Sequence, residues 1–279
     1  MADTDPVSID LNVDAALVLR DMVGIDTYPA VLAIRPNIHR IEDRNRVWEV
    51  VREELTEAGI ISGDEVHPVV ADWLRRLARP DTELMVQILD NGGDGQKLGI
   101  LRMSLVRTGG THVLAVRHDD HVIIQSVFHE GTQLNTLAAV VKSALGDYPV
   151  LSFDSVTFPA AELEEVPSSP DERRSALREL GAVPHTANVL TRAMSEVVRR
   201  AEVIMIEHRD GGSAIPDLKA CMNVVDTLSG RLVVTPSTAL DGQTWSTFRP
   251  GDDLALQSGI NALVEMLPGR SWFDTARTG

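Results

Sequence analysis

Three stretches of this 279-residue sequence gather side chains able to do chemistry. Asn91-Gly92-Gly93-Asp94-Gly95-Gln96-Lys97 has the glycines and the lysine of a phosphate cradle. It lacks the G-x-G-x-x-G and G-x-x-x-x-G-K-[ST] spacings, and it joins two segments of period two, so no helix N-terminus stands behind it to receive a phosphate. A hairpin loop of the kind that meets partners is the remaining reading. His118-Asp119-Asp120-His121 places two imidazoles and two carboxylates in one turn. A metal site needs three or four converging ligands, and the apolar flanks supply none, so this reads as a polar hairpin turn. His39 and His67 fall in loops, and His185 and His208 at element ends. Cys221, the single cysteine, opens the apolar run 221–225, where an inert thiol is expected, and no G-x-S-x-G nucleophile elbow exists. The acid pairs Glu53-Glu54, Glu164-Glu165 and Asp252-Asp253 lie on a helix face, a connection and a helix start; the last favours the helix dipole and needs no catalytic role. The residues therefore point away from an enzyme, with no cofactor, no metal and no catalytic residue expected.

The elements that position these residues follow from periodicity. Residues 7–11 alternate, Asn12 caps a helix to Val23, and Gly24 closes it. Residues 28–34 form an apolar run stopped by Arg35-Pro36, a strand or buried extended segment. Helices follow at about 41–58 and 68–78, the second with proline in its first turn and Pro80 after it. Period-two segments at 83–90, 98–107, 112–117 and 122–128 make an antiparallel meander. A helix over 132–145 and a short strand over 148–153 close the first half. The stretch 159–171, with Pro159, Pro167 and Pro170, reads as an exposed connection.

Helices at 171–180 and 185–200 come next, then a second meander at 202–209, 217–226, 231–236 and 244–248, a helix at 252–267 and a short segment at 271–273. At an offset of 120, Ser126, Phe128, Gly131, Leu134 and Phe153 match Ser246, Phe248, Gly251, Leu254 and Phe273. The expectation is an α+β fold with internal duplication: one domain over 1–279, with halves 1–158 and 172–279 joined by a linker at 159–171.

Composition sets the class. The net charge is −15, only Lys97, Lys142 and Lys219 are lysines, and aromatic residues make up 4% of the chain, so neither nucleic acid nor an anionic membrane surface is an expected partner. Residues 1–14 carry Asp3, Asp5, Asp10 and Asp14 and no cation, unlike a signal peptide, and no apolar stretch approaches a membrane span. One cysteine fits a reducing compartment, so a cytoplasmic location is expected.

Several segments taken together carry a family resemblance. They are Tyr28-Pro29-Ala30-Val31-Leu32-Ala33-Ile34-Arg35-Pro36, Val69-Val70-Ala71-Asp72-Trp73-Leu74 with Arg79-Pro80-Asp81, Val225-Asp226-Thr227 with Gly230-Arg231, Ser246-Thr247-Phe248-Arg249-Pro250-Gly251, and Leu267-Pro268 with Trp272-Phe273. In this order the chain resembles the EspG proteins of mycobacterial type VII (ESX) secretion systems.

The resemblance implies a cytosolic chaperone that binds PE/PPE heterodimers through the PPE subunit, covers its apolar tip and keeps the pair soluble for export. It implies a central, mostly antiparallel sheet flanked by N-terminal and C-terminal helical bundles with quasi-two-fold symmetry. The client would be gripped by the sheet, the loop between the second and third strands, and the C-terminal bundle. That loop maps onto 91–97, and the duplication sets 210–216 in the equivalent position of the second half, so the expected partner contacts are Asn91, Gly93, Asp94, Gln96, Lys97, Asp210, Ser213, Asp217 and Lys219. The sequence has no W-x-G, no Tyr-x-x-x-Asp/Glu tail and no Walker motif, unlike a secreted substrate or the ATPase. Two other readings stay open: a small-molecule binder or enzyme with a site between the halves, and a scaffold whose sheet edges pair with copies of itself, weak homodimerisation included.

Overall fold

The computed structural model describes residues 5–36, 38, 40–91, 98–209, 212–213 and 221–277. Strand β1 (Ser8–Asn12) leads directly into α1 (Val13–Val23). The Asn12 side chain accepts from the Ala15 backbone N–H at 2.7 Å, and Gly24 ends the helix at φ 70°, both as the sequence requires. A 3₁₀ turn (Ala30–Leu32) precedes α2 (Ile41–Glu57), the two-residue strands β2 (Ile61–Ser62) and β3 (Glu65–Val66), and α3 (Pro68–Ala78). The meander is β4 (Thr82–Asp90), β5 (Gly99–Thr108), β6 (Thr111–His118) and β7 (His121–Val127), followed by α4 (Asn135–Leu145).

The second half runs β8 (Val156–Pro159), α5 (Ala160–Glu164), α6 (Pro170–Glu179), α7 (Pro184–Ser195) and β9 (Val197–Arg209). Then come the short β10 (Gly212–Ser213), β11 (Cys221–Thr227), β12 (Gly230–Thr238), β13 (Thr244–Pro250) and α8 (Asp253–Glu265).

One large antiparallel sheet has the order β1-β7-β6-β5-β4-β9-β11-β12-β13-β8. Its two meanders meet at the β4–β9 seam, where Met85 faces Ile204 and Val86 faces Val203. Side chains alternate between faces, and the two faces are covered differently. On one face Leu84, Val86, Met103, Val203, Met222 and Val224 are sealed under α4 and α8, with Trp272 completing the core. On the other face α1, α2 and α3 cover Val106, Val113 and Ile124, while α6 and α7 cover Val225, Leu232 and Phe248. Burial of these apolar side chains, at roughly 1.5–3 kcal/mol each, holds the helices to the sheet.

Several expectations change. Residues 28–34 are not a strand: the Tyr28 hydroxyl donates to the Ala16 carbonyl at 2.7 Å, and Arg117 Nη1 donates to the Leu32 and Ala33 carbonyls at 2.9 and 2.5 Å. A guanidinium thus satisfies the carbonyls a neighbouring strand would have taken. Residues 148–153 contribute one bridge, Val150 to Arg231, because Gly230 at φ 134° lets the chain cross within van der Waals distance of Leu151. Helix α4 starts at Asn135 rather than 132.

The helix expected to reach Arg200 stops at Ser195, and β9 begins at Val197, since pairing with β4 and β11 outweighs the helical pattern of its arginines. Strand β11 is described from Cys221, and the expected start at 217–220 lies outside the described residues. The connection at 159–171 is ordered at its start: Pro159 ends β8, which pairs with β13, and 160–164 are helical.

Candidate functional site

The site grows out of the unequal faces at the seam. On the side between the two helical layers, Ile100 and Arg102 of β5, Met85, Gln87 and Leu89 of β4, Glu202 and Ile204 of β9, and Cys221 and Asn223 of β11 are only half-buried, beside fully buried Ser104. Ser104, Met85, Ile204 and Cys221 lie side by side in one row, and Arg102, Gln87, Glu202 and Asn223 in the next. A third row, Ile100, Leu89 and Arg200, follows toward Asn91. This is a trough with an apolar and a polar row. Its N-terminal wall is the 3₁₀ segment, where Ala33 takes the left-handed φ of 49° while Arg117 holds its carbonyl. At one end the trough closes on buried Glu83, which accepts from Ser104 Oγ at 2.8 Å and lies 2.9 Å from His208 Nε2.

The expected contact residues do not gather at one point. Asn91 is exposed and extends the seam past the end of β4, its backbone N–H donating to Val198 and its Nδ2 to Val197, at 3.0 and 3.1 Å. Ser213 lies in β10, opposite His208. Because β4 and β9 are antiparallel, with Asp90 opposite Arg199 and Thr82 opposite Glu207, the two loops leave from opposite ends of the seam. A strand of nine residues separates those ends by about 27 Å. Gly93, Asp94, Gln96, Lys97, Asp210, Asp217 and Lys219 lie outside the described residues.

The other chemistry-bearing residues have structural partners. Asp119-Asp120 is a two-residue turn with Asp119 at φ 52°, Asp120 accepts from the Val13 backbone N–H, and the Asp119 carbonyl accepts from Arg117 Nε. Among the described residues no group of three or more His, Cys, Asp or Glu side chains could hold a metal ion. Burial, and then Glu202, push the Cys221 thiol up to about 11, so it is no thiolate at neutral pH.

A cleft of about 450 Å³ lies between α4 and α8, at the junction of the halves. Its two cations already have acids, Lys142 at 2.7 Å from Asp253 and Arg231 at 2.6 Å from buried Asp226, and Asp252 caps α8 by accepting from the Ala255 backbone N–H. Nothing there converges on an empty centre, which weighs against the small-molecule reading.

Two buried networks were missed by sequence reasoning. Asp226 is gripped by Arg199 and Arg231, whose guanidiniums also donate to carbonyls at the end of α4. At the opposite end of the seam, Trp272 Nε1 donates to His112 Nε2 at 3.0 Å, and Arg107 bonds Thr82, Gly109 and Thr275. The signal available for the first was an aspartate inside a β-branched run, Val224-Val225-Asp226-Thr227. A charge in a central strand requires a buried partner, though periodicity cannot say which.

Burial pushes the His112 imidazole down to about 4, with His129 and Arg107 acting in the same direction. The unfolded chain titrates this residue near 6.5, so it binds the proton first. His112 is therefore expected to leave stability intact above about pH 6.5 and to remove about 2–3 kcal/mol as pH falls toward 4. Urea midpoints against pH for the wild type and His112→Gln, whose amide oxygen can accept from Trp272, check this. The wild type should show the steeper fall between pH 6.5 and 4, and parallel curves would refute it.

The sequence profile of the EspG family matches residues 12–262. The ESX-1 secretion-associated protein EspG1 of Mycobacterium marinum is 30% identical over 273 residues, covering 98% of this chain and 93% of the relative. The ESX-3 secretion-associated protein EspG3 of Mycolicibacterium smegmatis is 30% identical, covering 96% and 90%. The fold is similar to that in the structure of the Mycobacterium tuberculosis type VII secretion system chaperone EspG5 in complex with the PE25-PPE41 dimer, with a TM-score of 0.80 at 20% identity over 96% of this chain.

Proposed function

Because the chain belongs to the EspG family, we propose that it is a cytoplasmic chaperone of a type VII secretion system, binding PE/PPE heterodimers through the PPE subunit. The observation that carries this reading is the half-open trough on the sheet. Strands sealed on one face by α4 and α8 leave apolar and charged side chains half-exposed on the other, the mixture expected of an interface that must also release its partner. No helix of the described residues is long and apolar enough to cross a membrane. The function needs no catalytic group and no cofactor.

Asn91, Gly93, Asp94, Gln96 and Lys97 are assigned to the contact at one end of the trough, and Asp210, Ser213, Asp217 and Lys219 to the other. A client touching both must lie along the trough, which favours an elongated helical tip over a compact one.

The chain is read as a single domain whose halves, with their helical bundles, are related by a pseudo-two-fold through the β4–β9 seam. The symmetric strand order supports this, as do the matching two-residue turns Gly109-Gly110 and Leu228-Ser229. The residue matches are looser. Val234 pairs with Phe248, and its counterpart Ala115 pairs with Ile124, so Phe248 takes the place of Ile124 and not of Phe128.

The test is co-expression with PE/PPE pairs from each ESX locus of one genome, followed by pull-down and size exclusion with light scattering. A soluble 1:1:1 complex with the pair of one locus is the expected result; a folded protein that captures no pair would refute the function. Against the captured pair, alanine variants of Asp94, Lys97 and Lys219 should weaken binding, and wild-type affinity in all three would remove both loops from the interface.

A further inference from the structure

We infer that Arg102 is the anion-reading group of the trough, taking a carboxylate from the segment of the PPE subunit that docks there; this rests on the function proposed above. Arg102 stands in the middle of β5, half-buried, with Arg117 opposite it on β6 and Gln87 opposite it on β4. The Arg117 guanidinium donates through Nη1 to the carbonyls of Leu32 and Ala33 and through Nε to that of Asp119. Arg102 makes no hydrogen bond and no ion pair among the described residues. The nearest acid in its row, Glu202, is two strand spacings away with Gln87 between them, about 9.5 Å.

This arrangement is costly in the free protein. Two like charges sit directly opposite each other on one face, and one of them is partly desolvated with nothing to compensate it. Three other inward arginines of the sheet are matched to acids. Arg107 lies 3.5 Å from Asp81, and Arg199 and Arg231 share Asp226. Arg102 has no such acid among the described residues, and it lies on the floor of the half-open trough.

One row toward Asn91, exposed Arg200 makes no hydrogen bond or ion pair among the described residues. Arg102, Arg117 and Arg200 outnumber Glu202 and the buried Glu83 at the closed end, which leaves this floor cationic in a chain of net charge −15. The complementary occupant is an apolar segment bearing a carboxylate, which a guanidinium fork receives in two parallel hydrogen bonds. The apolar row of Met85, Ile204 and Cys221 lies alongside to cover the rest of such a segment.

The experiment measures the affinity of the full chain for the PE/PPE pair captured in the co-expression test, for wild type, Arg102→Lys, Arg102→Gln and Arg102→Glu, each at low and high salt. Arg102→Gln is expected to bind about 10-fold or more weakly, Arg102→Glu more weakly still, and Arg102→Lys in between, with a flatter salt dependence in the first two. Thermal stability of Arg102→Gln should equal or exceed the wild type, because an uncompensated cation has been removed. A residue that merely supports the fold would lose both. Lysine scanning of acidic residues on the PPE subunit should find one change that restores binding to Arg102→Glu. Wild-type affinity and salt dependence in all three variants would overturn the inference while leaving the chaperone function standing. Failure of the wild-type chain to capture any pair would sink the function, and this inference with it.

Discussion

Replacing Asp226 with alanine is expected to lower the free energy of unfolding by about 3–5 kcal/mol. The Asp226 side chain is 2% exposed and accepts from Arg231 Nε at 2.6 Å and from Arg199 Nε at 2.9 Å. Both guanidiniums lie over the Tyr148 ring and donate onward to the Leu145 carbonyl at the end of α4. Removing the carboxylate leaves two cations without their counter-charge, one of them, Arg231, with a side chain only 4% exposed. The loss therefore exceeds what the intact cluster adds over an apolar equivalent. Urea unfolding at neutral pH measures it, and a loss below about 1 kcal/mol would mean that water reaches the cluster. The double variant Asp226→Ala with Arg231→Met should recover part of the loss, since it removes one stranded charge along with its partner.

Trp272→Ala is the second large effect, again about 3–5 kcal/mol. Trp272 is fully buried on the α4 and α8 side of the sheet, far along the chain from the residues it meets. Around it the C-terminal segment is pinned to the first half: Asp81 accepts from the Arg277 backbone N–H at 2.9 Å, and Arg107 Nη2 donates to Thr275. Truncating the indole leaves a cavity and an orphaned acceptor on His112. Amide exchange of 82–84 and 203–207 should accelerate, because the strap no longer covers that end of the seam. Affinity for a captured PE/PPE pair should change less than two-fold, since the trough opens on the opposite face. A large loss of affinity in a folded Trp272→Ala protein would place the client on the wrong side of the sheet in this account.

Local order was legible wherever a residue acts on its own neighbours. The Asn12 cap, the Gly24 stop, Pro68 at a helix start and the two meanders depend on short-range hydrogen bonds, fixed φ angles and alternation, all visible within a few residues. The acidic charge also follows from the residues alone, as does the family resemblance that the profile match over 12–262 establishes.

Other features depend on contacts between residues far apart in the chain. Val197 to Arg200 became strand because β4 offered a partner for the whole length of β9, and 28–34 became a 3₁₀ turn because Arg117 supplied its hydrogen bonds. The trough itself could not be read from a pattern: its residues alternate in the same way as those under α4 and α8, and only the placement of helices leaves one face half-open. The two candidate loops, matched by internal similarity, were sent to opposite ends by the antiparallel seam. Periodicity determines which side chains share a face, whereas the covering of that face, and the partner of each buried charge, is decided by long-range packing, in which burial and desolvation outweigh local preference.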